Sequence, residues 1–143
     1  YANIFSGNTT SYGRTWFDRY HELNGTLNGR RFKETAFLLY GPTCNLVISK
    51  VVADSLKFDS EFPNAACEDI DFCVRAIDAG FRIFHAQDMK VQHDYGYRNR
   101  RHIGNVVRFV RQFRKYAKAE PTLLKLCPKY YPLFGQTEEI PAT

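Results

Sequence analysis

No run of apolar residues approaches the ~18 needed to cross a bilayer as a helix. The first residues, Tyr1-Ala2-Asn3-Ile4-Phe5, lack the basic region and long apolar stretch of a signal peptide. The chain as it stands is therefore expected to be soluble. Cysteine is sparse: Cys44, Cys67, Cys73 and Cys127 follow neither a C-x-x-C nor a zinc-finger spacing, which argues against a structural zinc site. Reduced thiols serving as small hydrophobes are the expectation. No internal repeat and no low-complexity stretch occurs, so solenoids and linker-rich architectures are excluded. Acid is missing from one region altogether. Between Arg98 and Lys118 stand eight Lys or Arg and no Asp or Glu, which leaves 12 basic against 15 acidic residues elsewhere; the net charge of +5 thus belongs to one element.

What remains is the composition of an ordinary globular protein, 44% hydrophobic and 24% charged, with an aromatic share of 15% that favours packed cores or ring-binding surfaces. A length of 143 residues suits one compact unit and is short for a complete two-substrate enzyme. The opening residue is not methionine and lies inside what reads as a strand, so the sequence reads as a piece of a longer polypeptide.

Local patterns order the chain into alternating elements. Ile4 to Gly7 reads as the end of a strand, and Ser11 as the cap of a helix over Tyr12 to Leu23 that stops at Asn24-Gly25. Thr35 to Tyr40 is a β-prone run closed by Gly41-Pro42 and is expected to be buried. A helix over Ser49 to Leu56 and a loop over Lys57 to Asn64 follow. From Cys67 the sequence becomes Glu68-Asp69-Ile70-Asp71-Phe72-Cys73-Val74-Arg75-Ala76-Ile77. Ile70, Cys73, Val74 and Ile77 fall at helical spacing, three acids crowd the first turn, and Gly80 supplies a left-handed stop. Two short strands, Phe81 to Phe84 and Met89 to His93, are predicted around a turn at Ala86-Gln87-Asp88.

Acids in a first turn oppose the helix dipole and cap free amides, which is reason enough for their presence. They also sit after Gly41-Pro42-Thr43-Cys44-Asn45 and before a strand ending on His93. That ordered set, with Phe58-Asp59 between and Arg75 and Gly80 later in the acidic helix, resembles the C-terminal half of family 2 glycosyltransferases, inverting nucleotide-sugar enzymes of the GT-A fold. The similarity covers Leu38 to Tyr97 well and the flanks loosely.

The resemblance implies an α/β fold: the acceptor-side half of a Rossmann-like GT-A domain, with a short mixed sheet, flanking helices and a C-terminal basic amphipathic helix. Residues 1–97 would form that partial domain, and residues 98–143 the basic helix and an irregular tail. It implies that Asp69 is the general base taking the acceptor hydroxyl's proton and that Glu68 positions it. Gly41, Asn45, Arg114 and Lys115 would contact donor or acceptor, and His93 would be a ligand of a divalent metal, Mn or Mg. Partners would be a nucleoside-diphosphate sugar and a sugar or lipid-linked acceptor, in the cytoplasm or peripheral to the inner face of the membrane. The family's nucleotide-binding half, with its Asp-x-Asp motif, has no counterpart here. Asp69-Ile70-Asp71 has those letters but stands at the acceptor-side helix, so most of the metal site would belong to the missing half. The double glycine that usually precedes the asparagine is replaced by Pro42-Thr43-Cys44. The alternative is a non-catalytic half-fold that uses its basic helix to bind lipid, RNA or a protein.

On that helix, with Ile103 set at zero and ~100° per residue, Val106, Val107, Val110, Phe113 and Ala117 gather within about 80°. Arg108, Arg111, Lys115 and Lys118 lie at roughly 60° to 140°, and Arg114 falls inside the apolar stripe. The stripe is expected to pack on the core. Beyond that role, membrane or lipid contact is favoured; active-site phosphate contact is the second use, because Gln112-Phe113-Arg114-Lys115-Tyr116 is similar to the Gln-x-x-Arg-Trp motif of processive members. Nucleic acid is disfavoured, and an exposed sheet edge could support a dimer. Beyond Pro121 a short apolar turn over Thr122 to Cys127 is expected, after which Pro128, Pro132 and Gly135 prevent a long helix and leave a loose acidic end.

Overall fold

The computed structural model describes residues 3–24, 27–98 and 101–140. Within them the chain forms a mixed α/β arrangement with two three-stranded sheets. In the first, β1 (Asn3–Ser11) is central. It pairs antiparallel with β4 (Leu46–Ile48) and parallel with β5 (Arg82–His93). In the second, β2 (Arg30–Phe32) lies between β3 (Leu38–Tyr40) and β6 (Thr137–Glu139), both antiparallel to it. A bridge from Phe37 to Phe84 links the two sheets.

The two leucines of β3 show how one strand serves two cores. Successive side chains of a strand point to opposite faces. Leu38 joins Ile4, Val52, Phe72, Cys73, Ala76 and Ile83, whereas Leu39 joins Phe62, Val74, Leu123 and Cys127. The acidic helix α3 (Glu68–Asp78) stands between the clusters, giving Phe72 to one and Val74 to the other. It is therefore buried on more than the single face that its spacing predicts. Gly80, at φ +91°, follows its end and turns the chain into β5.

Several local expectations shift. The first strand runs on through Ser11, so Ser11 is no cap; its hydroxyl donates to Glu22 at 2.8 Å instead. Helix α1 (Trp16–Leu23) starts at Thr15, whose Oγ1 accepts from the Asp18 N–H while Asp18 accepts from the Thr15 N–H. This reciprocal pair satisfies two amides that a helix start leaves open. The short helix α2 (Lys50–Ser55) falls where its pattern places it. The two short strands predicted near the end are one, β5, with an irregularity: Gly7 pairs with Ala86 but Asn8 pairs with Lys90.

The C-terminal part departs furthest from expectation. Helix α4 (Gly104–Leu126) continues straight through Pro121. Proline inside a helix removes one hydrogen bond and crowds the preceding turn. Here Leu123 and Cys127 are drawn into the second cluster, and their burial offsets that cost. A short helix α5 (Tyr130–Phe134) follows, and β6 then joins the second sheet. Residues on both sides of position 97 thus share one sheet and one hydrophobic cluster.

Candidate active site around Asp69

The acidic start of α3 is an unusual piece of backbone. Asn64, Ala65 and Cys67 all have positive φ, at 58°, 47° and 66°, a region that costs energy for residues with a Cβ. Cys67 occupies the cap position without a side-chain hydrogen bond, so no conventional cap compensates. This contorted approach sets Glu68 and Asp69 side by side at the helix start.

Asp69 accepts from the backbone N–H of Ile70 at 2.9 Å. Its own N–H and that of Thr43 also support the charged form. Against these stand desolvation and the neighbouring Glu68 carboxylate, which together push the Asp69 carboxyl from 3.8 up to about 6. One oxygen of Glu68, Oε2, is buried without a hydrogen-bond partner among the described residues. The pair therefore combines a carboxyl of raised proton affinity with an unused acceptor atom.

Three further elements come within electrostatic reach of Asp69. Tyr40 ends β3, Cys44 lies in a 3₁₀ turn over Thr43–Asn45, and Tyr116 lies on the inner side of α4; the charge of Asp69 reaches all three. Burial raises the Tyr40 hydroxyl to about 12 and Cys67 to about 11, with Asp69 adding to both, so these groups stay protonated at neutral pH. Gln112 donates to the Tyr116 hydroxyl at 2.7 Å. In the Gln112 to Tyr116 segment the first and last residues thus meet across one helical turn.

The other residues singled out in the sequence occupy varied positions. Gly41 is packed so closely that an added Cβ would collide with the Ser6 side chain. Asn45 is buried, and its Nδ2 donates to Asn8 O at 3.1 Å, Thr9 Oγ1 at 3.2 Å and Met89 O at 3.1 Å. It clasps the irregular stretch of β1 and β5, and through the adjoining turn it holds Thr43 against Asp69. Arg114 is exposed on the outer side of α4, and Lys115 is half-buried beside it. His93 ends β5 opposite Ser11, its ring edge-on to Tyr95 at 4.6 Å.

The structure thus brings Glu68 and Asp69 together with the Gly41 to Asn45 segment, while His93 keeps company with Tyr95 and His21. Among the described residues no group of three or more His, Cys, Asp or Glu is arranged to hold a metal ion. His93 would offer a single imidazole, so this donor set does not by itself fit a metal centre. Tyr40, Thr43 and Tyr116 escape a motif search because they are ordinary residues brought in from separate elements. Only the Gln112 to Tyr116 spacing signalled one of them.

A concavity of ≈ 1080 Å³ runs along the outer face of α4 beside Asn64 and does not include Asp69. No helix among the described residues is long and apolar enough to cross a membrane. Comparison with protein-family models, with curated proteins and with solved structures gave no match for this chain.

Proposed function

We propose that this chain is the acceptor-side part of an inverting GT-A glycosyltransferase, in which Asp69 removes the proton from an acceptor hydroxyl. That hydroxyl attacks the anomeric carbon of a nucleoside-diphosphate sugar. The nucleoside diphosphate leaves with the bonding pair, and the proton ends on the Asp69 carboxylate.

The observation that carries this reading is the environment of Asp69. A sugar hydroxyl is a poor nucleophile at neutral pH, so its attack needs a base whose proton affinity is matched to working conditions. An ordinary carboxylate near 3.8 is too weak. One raised to about 6 by burial and by Glu68 is still charged at pH 7 and holds a proton far better. Tyr40 and Tyr116, both within reach of the Asp69 charge, carry rings that suit the apolar face of a sugar.

A divalent metal would supply charge neutralisation at the leaving diphosphate. His93 is the one residue of this chain put forward for it, and the remaining ligands would come from outside the described residues.

The test is Asp69→Asn in a polypeptide that also carries a nucleotide-binding half. Turnover should fall by about 10²–10⁴, the usual contribution of a positioned base, with donor affinity little changed. Near-normal turnover removes Asp69 from the role.

A further inference from the structure

Helix α4 has two apolar faces, and the structure turns the unexpected one outward. The aromatic side, with Phe109, Phe113 and Tyr116, packs inward: Phe109 and Phe113 lie against Tyr20 of α1 at 5.2 and 5.8 Å between ring centroids. The aliphatic side is open. Ile103 is 81% exposed, Val106 48%, Val107 53% and Val110 50%. At ~100° per residue these four fall within about 60° of one another's mean direction, so they make a stripe along the helix. The aliphatic part of the stripe predicted to face the core therefore faces solvent, while Phe113, predicted in the same stripe, packs inward.

Charge surrounds that stripe on one side only in sign. Arg111, Arg114 and Lys118 line the same outer groove, and no acid occurs between Arg98 and Lys118. Arg114 stands within the stripe and is exposed, so its guanidinium extends past the valines. Trp16, the chain's one tryptophan, is 64% exposed but packs on the aromatic side of the helix, its ring 6.1 Å from Phe109.

We infer that this face of α4 is a docking surface for an anionic lipid bilayer. Each part matches one layer of a membrane interface: aliphatic side chains enter the acyl boundary, and Arg and Lys meet headgroup phosphates. The same geometry disfavours a nucleic acid. Single strands are held by stacking bases on aromatic rings as well as by charge. Here Phe109, Phe113 and Tyr116 are turned toward the interior, and the outer face of α4 itself offers bases only valine and isoleucine. The inference is independent of any role for Asp69, because no residue of the docking face belongs to that site.

The test uses the 143-residue chain with phosphatidylcholine vesicles, with and without 30 mol% phosphatidylglycerol. Expected results are cosedimentation with the anionic vesicles alone and a fall in affinity of tenfold or more between low and high salt. Val106→Ser/Val110→Ser changes residues outside both hydrophobic clusters and should lower vesicle affinity at least tenfold with an unchanged circular dichroism spectrum. Arg111→Gln/Arg114→Gln should do the same. Absence of anionic-vesicle binding at low salt overturns the inference. So does a Val106→Ser/Val110→Ser variant that binds vesicles as well as the parent. Binding of a single-stranded oligonucleotide tighter than of vesicles, and unaffected by the valine changes, assigns the face to nucleic acid and equally overturns it.

Discussion

The imidazole of His21 lies flat on the ring of Tyr95, their centroids 3.9 Å apart and their planes 12° from parallel. This stack ties α1 to the segment that follows β5, two residues beyond His93. His21 is fully buried, and its Nε2 is 2.8 Å from the Tyr97 hydroxyl. A histidine without any motif around it therefore holds in place the strand end that carries the motif histidine.

Acid should act on the fold through His21. Burial lowers its pKa from 6.5 to about 4, with His93 adding to the effect and Asp18 opposing it. The folded state thus keeps His21 neutral while the unfolded chain protonates it. That stability is complete above 6.5 and is lost as pH falls toward about 4, on the order of 2–3 kcal/mol. In His21→Phe this acid-dependent loss should disappear, which urea denaturation at pH 7 and pH 4.5 will show.

Asp69 carries the opposite slope. Its folded pKa of about 6 exceeds the ordinary 3.8, so its contribution is fully present below 3.8 and is lost as pH rises through about 6. Asp69→Asn should therefore be more stable than the parent above pH 6, by about 1–2 kcal/mol given that the carboxyl is partly open to solvent. The advantage should vanish near pH 4. A variant less stable at pH 8 would mark Asp69 as a structural cap.

In the parent protein the two slopes oppose each other between pH 4 and 6.5. Chemical denaturation of Asp69→Asn across that range should expose a steeper loss of stability on acidification than the parent shows.

Removing the Asn45 clasp should be costly. Asn45→Ala leaves buried acceptors of Asn8, Thr9 and Met89 without their donor, a loss of about 1–3 kcal/mol. Asn45→Asp replaces the donor with acceptors facing acceptors and should lose more at pH 7. Equilibrium unfolding midpoints rank the two variants.

Gly41 tests packing. A methyl group there strikes Ser6, and Gly41→Ala should destabilise by roughly 1–3 kcal/mol, read from the thermal midpoint. Its effect should also reach the site, since Gly41 opens the turn that brings Thr43 to Asp69.

Much of the local structure was legible in the residues. The acidic helix, its glycine stop, α2 and the strand ending at His93 fall where apolar spacing, first-turn acids and turn residues place them. Those signals act within a few positions of each other. The start of α1 was misjudged because Ser11 and Thr15 are both plausible caps, and only the pairing of Ser11 with His93 commits Ser11 to a strand. The run through Pro121 was hidden for a similar reason. Proline's local penalty is visible in the sequence, while the core that accepts Leu123 and Cys127 is not.

The amino-acid order alone determined that α4 is amphipathic and basic, that two carboxylates open α3, and that a histidine closes β5, because periodicity and short-range hydrogen bonding are set by neighbours along the chain. Tertiary structure decided which stripe of α4 meets the core, that Asn45 is a clasp, and that Asp69 is desolvated beside Glu68, Tyr40 and Tyr116. A helix with two apolar stripes can bury only the one whose shape fits, and the α1 rings select the aromatic side. The proton affinity of a carboxyl likewise depends on how much water is removed around it, which is a property of the packed molecule.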